Sequence, residues 1–158
     1  MRGIRKVLAV ALALAALAAA AFAAAGPTGA PSGTAQMTPA SVALAFEWAI
    51  DIERAHNGLP ALYVDSVEDA QAVNWSSLMA FTNTLAEDPN SQAAIASYDP
   101  NWRAWGENVG VGPTPQSVES AFMASPPHRA NILGNFTHMG VGVVIANGRI
   151  WVTERFYS

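Results

Sequence analysis

Between Thr38 and His56, apolar positions crowd the chain. Val42, Leu44, Phe46, Trp48, Ile50 and Ile52 leave Glu47, Asp51 and Arg54 as a polar stripe at i, i+4, i+7. That spacing predicts a helix. Thr38 caps it, Pro39 sits in its first turn, and Asn57-Gly58 followed by Pro60 ends it. An apolar surface this wide predicts cover on more than one side. A second helix is predicted from Ser66, with Asp69 three residues on as an approximate capping box, to about Thr84. It carries two apolar seams, Leu78-Phe81-Leu85 and Ala72-Trp75-Met79.

The stretch from Glu87 to Arg103 loses periodicity and holds two Asp-Pro/Asn turn signals, so it reads as irregular. Thr114-Pro115 predicts a third helix to about Ala124, and Ser125-Pro126-Pro127 a short fourth ending at Gly134. Met139 to Ala146 and Arg149 to Tyr157 then flank Asn147-Gly148, a type I′ hairpin signal. Pairing outward from that turn places Ile145/Ile150, Val143/Val152, Val141/Glu154 and Met139/Phe156 on one face. The other face receives Val144/Trp151, Gly142/Thr153 and Gly140/Arg155, where two glycines predict a closely approaching helix. The fold class expected is α+β: a three-layer α-β-α sandwich with a small antiparallel sheet between helices.

The first 25 residues follow another pattern. Arg2, Arg5 and Lys6 precede an unbroken Val, Leu and Ala run, and Ala23 to Ala25 offer a small-residue cleavage site. This is the pattern of a secretory signal peptide, residues 1–25, and a cleaved signal is expected over the alternative of an uncleaved anchor. Residues 26–37, rich in Gly, Pro, Ser and Thr, read as a flexible linker, and 38–158 as the domain. Cleavage predicts a secreted, extracellular protein with no stable membrane anchor. It removes three of eight basic residues, leaving five Arg against twelve Asp and Glu, a net of 5 − 12 = −7. That charge argues against a nucleic-acid partner. The absence of Cys excludes disulfides, thiolate nucleophiles and Cys-ligated zinc.

The candidate chemistry gathers between Trp105 and Leu133, WGENVGVGPTPQSVESAFMASPPHRANIL. Glu107, framed by glycines, either accepts backbone N–H bonds and fixes its loop or belongs to a site. His128 follows a double proline, with Ser125 three residues before it. Ser, His and a nearby Glu are the parts of a hydrolase triad. The G-x-S-x-G elbow is missing, however, and Ser at the head of a helix is an ordinary cap. Arg129 is expected to pair with a carboxylate or helix-end carbonyls, and Asn131 to tie down a turn. His56 and His138 read as structural. Glu154, on the apolar face of the hairpin, needs a partner; Arg54, Arg103 and Arg129 are the candidates.

IDIERAHNGLPAL (Ile50 to Leu62), WGENVGVG (Trp105 to Gly112), SPPHRANIL (Ser125 to Leu133) and MGVGVV…IWVTERF (Met139 to Phe156) resemble, in order and spacing, the CAP superfamily of cysteine-rich secretory, antigen 5 and pathogenesis-related proteins. The likeness is to its short, cysteine-free bacterial branch. The resemblance implies a secreted α-β-α sandwich with a central cleft formed by Glu87, Glu107, Ser125 and His128, and with Asn108, Arg129 and Asn131 as motif residues. The family's fullest cleft holds two His and two Glu. Here Glu87 stands where a His is usual, and Ser125 near the second Glu.

Glu87, Glu107 and His128 would offer at best a weak, oxygen-rich site for zinc, magnesium or calcium. Without a metal, neighbouring carboxylates resist joint ionisation. The function expected is a non-catalytic binding module for a lipid, sterol, peptide or cell-envelope ligand. A peptidase-like hydrolase using Glu107 and His128, and a purely structural domain, are the alternatives.

Overall fold

The computed structural model describes residues 37–158; the signal and almost all of the linker lie outside them. Helix α1 spans Pro39–His56. Thr38 and Ser41 form a reciprocal capping box, and Asn57 caps the far end ahead of Gly58 at φ +73°. One face is buried, through Val42, Phe46, Ile50 and Arg54, while Leu44, Trp48 and Ile52 stay exposed. The expected cover on several sides is therefore corrected to one. Arg54, read as part of a polar stripe, is only 1% exposed. Its guanidinium donates to the carbonyls of Pro60 (2.9 Å), Ile132 (2.9 Å) and Gly134 (2.8 Å). One guanidinium thus ties the turn after α1 to the 132–134 segment.

Strand β1 is Tyr63–Val64, and α2 spans Ser66–Thr82. The cap of α2 is Asp65, not Ser66: its carboxylate accepts from the Val67 and Glu68 N–H groups. Of the two seams, only the one containing Ala72 and Met79 is buried. Leu78, Phe81 and Leu85 face outward, Phe81 at 89% exposure. Helix α3, Ser91–Tyr98, interrupts the stretch expected to be irregular and buries Ile95. Strand β2 is Trp105–Gly112, α4 Pro115–Ala124 and α5 Pro126–Ile132. The hairpin closes the chain with β3, His138–Ala146, and β4, Arg149–Tyr157.

The sheet order is β1-β3-β4-β2. It is mixed rather than purely antiparallel, because β1 runs parallel to β3. The hairpin register agrees pair for pair with the one read out from Asn147-Gly148, both at positive φ. β2 pairs with β4 along its whole length, from Trp105↔Tyr157 to Gly112↔Ile150.

On one face of the sheet lies α2, with α3 joined to it by the Tyr98 hydroxyl donating to Glu68. On the other lie α1, α4 and α5, over a core that includes Phe46, Ile50, Phe122, Ile132, Val152 and Phe156. Each such side chain contributes roughly 1.5–3 kcal/mol by leaving water. The two glycines facing α2 do what was expected of them. A Cβ on Gly142 would fall 2.0 Å from the Ala72 carbonyl carbon, and one on Gly140 2.6 Å from Glu68. α2 therefore rests directly on the sheet backbone.

Candidate functional site

Side chains alternate along β2, and that alternation divides the candidate residues between the two faces. Glu107 points toward α2. Its Oε2 accepts from Arg155 Nε at 2.7 Å and its Oε1 from the Asp88 N–H at 2.6 Å. Arg155, directly across the ladder, also reaches Glu68 (3.0 Å) and Asp88 (2.6 Å). One guanidinium thus holds three carboxylates, and Arg155, Glu68 and Glu107 are almost wholly buried. Burial raises the Glu107 pKa, against the pull of the Asp88 N–H and Arg155. Burial alone would lower the Arg155 pKa, but Glu107 and Glu68 outweigh it and the net shift is upward. A planar fork engaging several carboxylates is the geometry at which Arg excels.

Asn108, one residue on, points to the opposite face. Its Nδ2 donates to Glu154 Oε2 (3.0 Å) and, at 3.3 Å, to the His128 carbonyl. Asn131 donates to Asn108 Oδ1 at 2.9 Å and to the Glu107 carbonyl at 3.0 Å, tying α5 to β2. Glu154 is fully buried, as its strand position requires, but no arginine among the described residues meets it. It lies beside Glu119 of α4, also buried. Among the described residues no donor reaches Glu119 Oε1, Glu119 Oε2 or Glu154 Oε1. Two buried carboxyls side by side resist joint ionisation, which favours a shared proton. Burial raises the Glu119 pKa to about 7, with Glu53 adding to the rise. Burial, and then the charge of Glu119, raises that of Glu154 well above the usual range.

Glu107 and His128 therefore do not meet. The carboxylate lies under α2, whereas α5, which carries His128, packs on the other face. The His128 ring sits 5.1 Å from that of Phe122. With Ser125 it borders a hollow of about 390 Å³ whose other walls include Leu85, Val109, Val111 and Phe122. Ser125 occupies the cap position of α5, yet its side chain makes no capping bond. Glu87 borders a separate hollow with Trp102 and Trp105. The single cleft expected for Glu87, Glu107, Ser125 and His128 is thus two hollows and a buried ion cluster. Arg129 makes one exposed contact, to Asn57 Oδ1 at 3.3 Å. The role of binding loop carbonyls belongs to Arg54 instead. His138 stacks on Tyr157, with ring centres 4.7 Å apart.

These positions do not suit the expected cation site. Among the described residues, no three His, Asp or Glu side chains are grouped to hold a metal. Both Glu107 oxygens are engaged, and Arg155 itself brings the positive charge that the carboxylates around it require. The triad fails for the same reason, since the Glu lies on the wrong face for His128. Residue-by-residue reading missed Arg155, Glu68 and Glu119. The hairpin register already put Arg155 on the glycine face. The missing signal was an acidic partner on α2, where Glu68 sits one turn ahead of Ala72.

A helix seated on two sheet glycines, facing three helices across the sheet, defines the class of fold. The family follows from comparison. The profile of the cysteine-rich secretory protein (CAP) family matches residues 49–154, and the chain belongs to that family. It is 32% identical over 134 residues to the uncharacterized protein YkwD of Bacillus subtilis (strain 168), an alignment covering 79% of this chain and 51% of that protein. The chain thus spans about half the length of the curated relative it matches.

Among solved structures, the fold is similar to that of an outer surface protein from Borrelia burgdorferi. The TM-score is 0.70 at 15% identity, covering 77% of this chain and 96% of that one. It is also similar to an extracellular protein containing an SCP domain from Bacillus anthracis, with a TM-score of 0.60 at 22% identity, over 78% of this chain and 44% of that one.

Proposed function

We propose that the chain is a secreted, non-catalytic CAP module that binds a small hydrophobic ligand, of lipid or sterol type, in the hollow beside His128. The observation that carries this reading is the hollow itself. Its volume of about 390 Å³ and its largely aliphatic and aromatic walls, with Ser125 and His128 at one side, have the make-up of a small-molecule pocket. An apolar body would fill the space between β2 and α4, and a polar head would meet Ser125 and His128. Secretion is supported by the signal pattern and by structural relatives described as extracellular or outer-surface proteins. A binding role is favoured over hydrolysis because Glu107 is locked to Arg155 and, among the described residues, no carboxylate pairs with His128.

Displacement of a fluorescent fatty acid from the purified protein tests the reading. Ala121→Trp, which places an indole in the hollow, should abolish binding while leaving the melting transition intact. No binding by the wild-type protein, together with no lipid in an organic extract of it, would remove the proposal.

A further inference from the structure

A second hollow, larger than the one beside His128, lies elsewhere in the domain. It encloses about 750 Å³ between the 87–89 turn, α3 and the residues leading into β2. Its lining has a particular chemistry. Trp102 and Trp105, both half-buried, line it together with Ala93. Glu87 and Gln92 are exposed, so one carboxylate and one amide are available at the rim. Among the described residues, no Lys, Arg or His lines it.

The walls are also pinned. Asp88 is held by Arg155 at 2.6 Å through its side chain and by Glu107 at 2.6 Å through its N–H. The Ser91 hydroxyl donates to the Asp88 carbonyl at 3.0 Å. Across the hollow, the N–H groups of Arg103 and Ala104 both donate to the Ser158 carbonyl, and Trp105 pairs with Tyr157 at the start of the ladder. The buried ion cluster thus fixes one side of an open cavity, and the chain's last residues fix the other. Such pre-organisation lowers the ordering cost of binding.

We propose that this hollow is a saccharide-binding site, taking an uncharged oligosaccharide. Indole faces match the flat, apolar C–H face of a pyranose ring. Planar carboxylate and amide groups match its hydroxyls, each of which donates and accepts. With Glu87 at its rim and, among the described residues, no Lys, Arg or His in its lining, the hollow disfavours phosphorylated or carboxylated ligands. A lone quaternary ammonium, the other ligand that pairs indoles with a carboxylate, would leave most of this volume unfilled. The site is independent of the apolar hollow beside His128, which lies along a different part of β2.

Calorimetric titration of the purified protein with N-acetylglucosamine and glucose tetramers tests the proposal, with tetramethylammonium chloride and a proline-rich peptide as comparison ligands. At least one tetramer is expected to bind. Its affinity should fall about tenfold or more in Trp102→Ala, the scale of one well-stacked aromatic contact. Gln92→Ala should weaken it several-fold, and Ala121→Trp should leave it unchanged. Trp105→Ala should behave like Trp102→Ala, and if it disturbs β2 the other two variants still decide. No heat with either tetramer, unchanged affinity in Trp102→Ala and Gln92→Ala, or binding confined to tetramethylammonium or the peptide would each overturn it.

Discussion

Glu154 and Arg155 are neighbours on β4, yet they sit in opposite electrostatic worlds. On the α2 face, Glu68, Asp88 and Glu107 converge on Arg155, and every bond of that cluster is charge-assisted. On the α4 face, Glu154 and Glu119 meet with no cation among the described residues, and three of their four oxygens lack a donor. Both clusters bury carboxyl groups beside the same strand. One is built around an arginine; the other has no cation among the described residues, and burial favours a protonated carboxyl there. The second should make stability depend on pH.

The largest effect is expected where a buried charge loses its partners. Arg155→Met leaves three carboxylates facing one another in a dry site and should cost about 3–5 kcal/mol, a large part of a small domain's stability. Urea denaturation of the variant against wild type gives the figure. A loss under about 1 kcal/mol would mean that water already reaches the cluster. Next comes the contact that lets α2 close over it. Gly142→Ala drives a methyl into the Ala72 backbone and should cost at least about 1–3 kcal/mol, read as a lower melting temperature.

The acid pair should reveal itself through pH. A carboxyl whose pKa is raised on folding contributes stability below its unfolded value, and loses that contribution as pH climbs through the folded value. For Glu119 that window runs from the ordinary glutamate range to about 7, and for Glu154 it extends higher. The wild-type domain should therefore lose stability from this site as pH rises from the ordinary glutamate range through about 7 and above. Glu154→Gln should flatten the curve and be the more stable protein at the alkaline end of that window. Parallel curves for the two proteins would show that the pair does not share a proton.

Smaller effects complete the contrast. Thr114→Ala removes the cap of α4 and should cost about 1 kcal/mol. It also loosens the helix that carries Glu119, admits water to the acid pair, and so should make the pH slope shallower than in the wild type. Arg129→Ala, at a single exposed contact, should change stability by less than about 0.5 kcal/mol. Urea denaturation at two pH values reads both.

The hairpin shows how far local chemistry carries. Asn147-Gly148 requires positive φ at two successive positions, and that alone sets every pair from Ile145/Ile150 outward. Thr38-Pro39 and Thr114-Pro115 likewise mark helix starts that the structure keeps. Other elements were not legible, for equally physical reasons. WGENVGVG has three glycines and weak strand propensity, and becomes a strand because β4 offers it a full ladder. SQAAIASY is too short for a helical period to stand out, and it is held by the burial of one large side chain, Ile95. Which of the two seams on α2 faced inward was undecided until the sheet glycines selected the Ala72 row.

By itself, then, the order of residues determined the capped helices, the turn, the register and the family, because each rests on contacts between near neighbours or on a motif in fixed spacing. Only the tertiary structure decided the site. Glu107 and His128 lie on elements that pack against opposite faces of one sheet, and strand alternation sends Glu107 to one side and Asn108 to the other. Whether a buried carboxylate finds an arginine, a proton or a hollow depends on which face it is turned to. That choice is made by the packing of helices on the sheet.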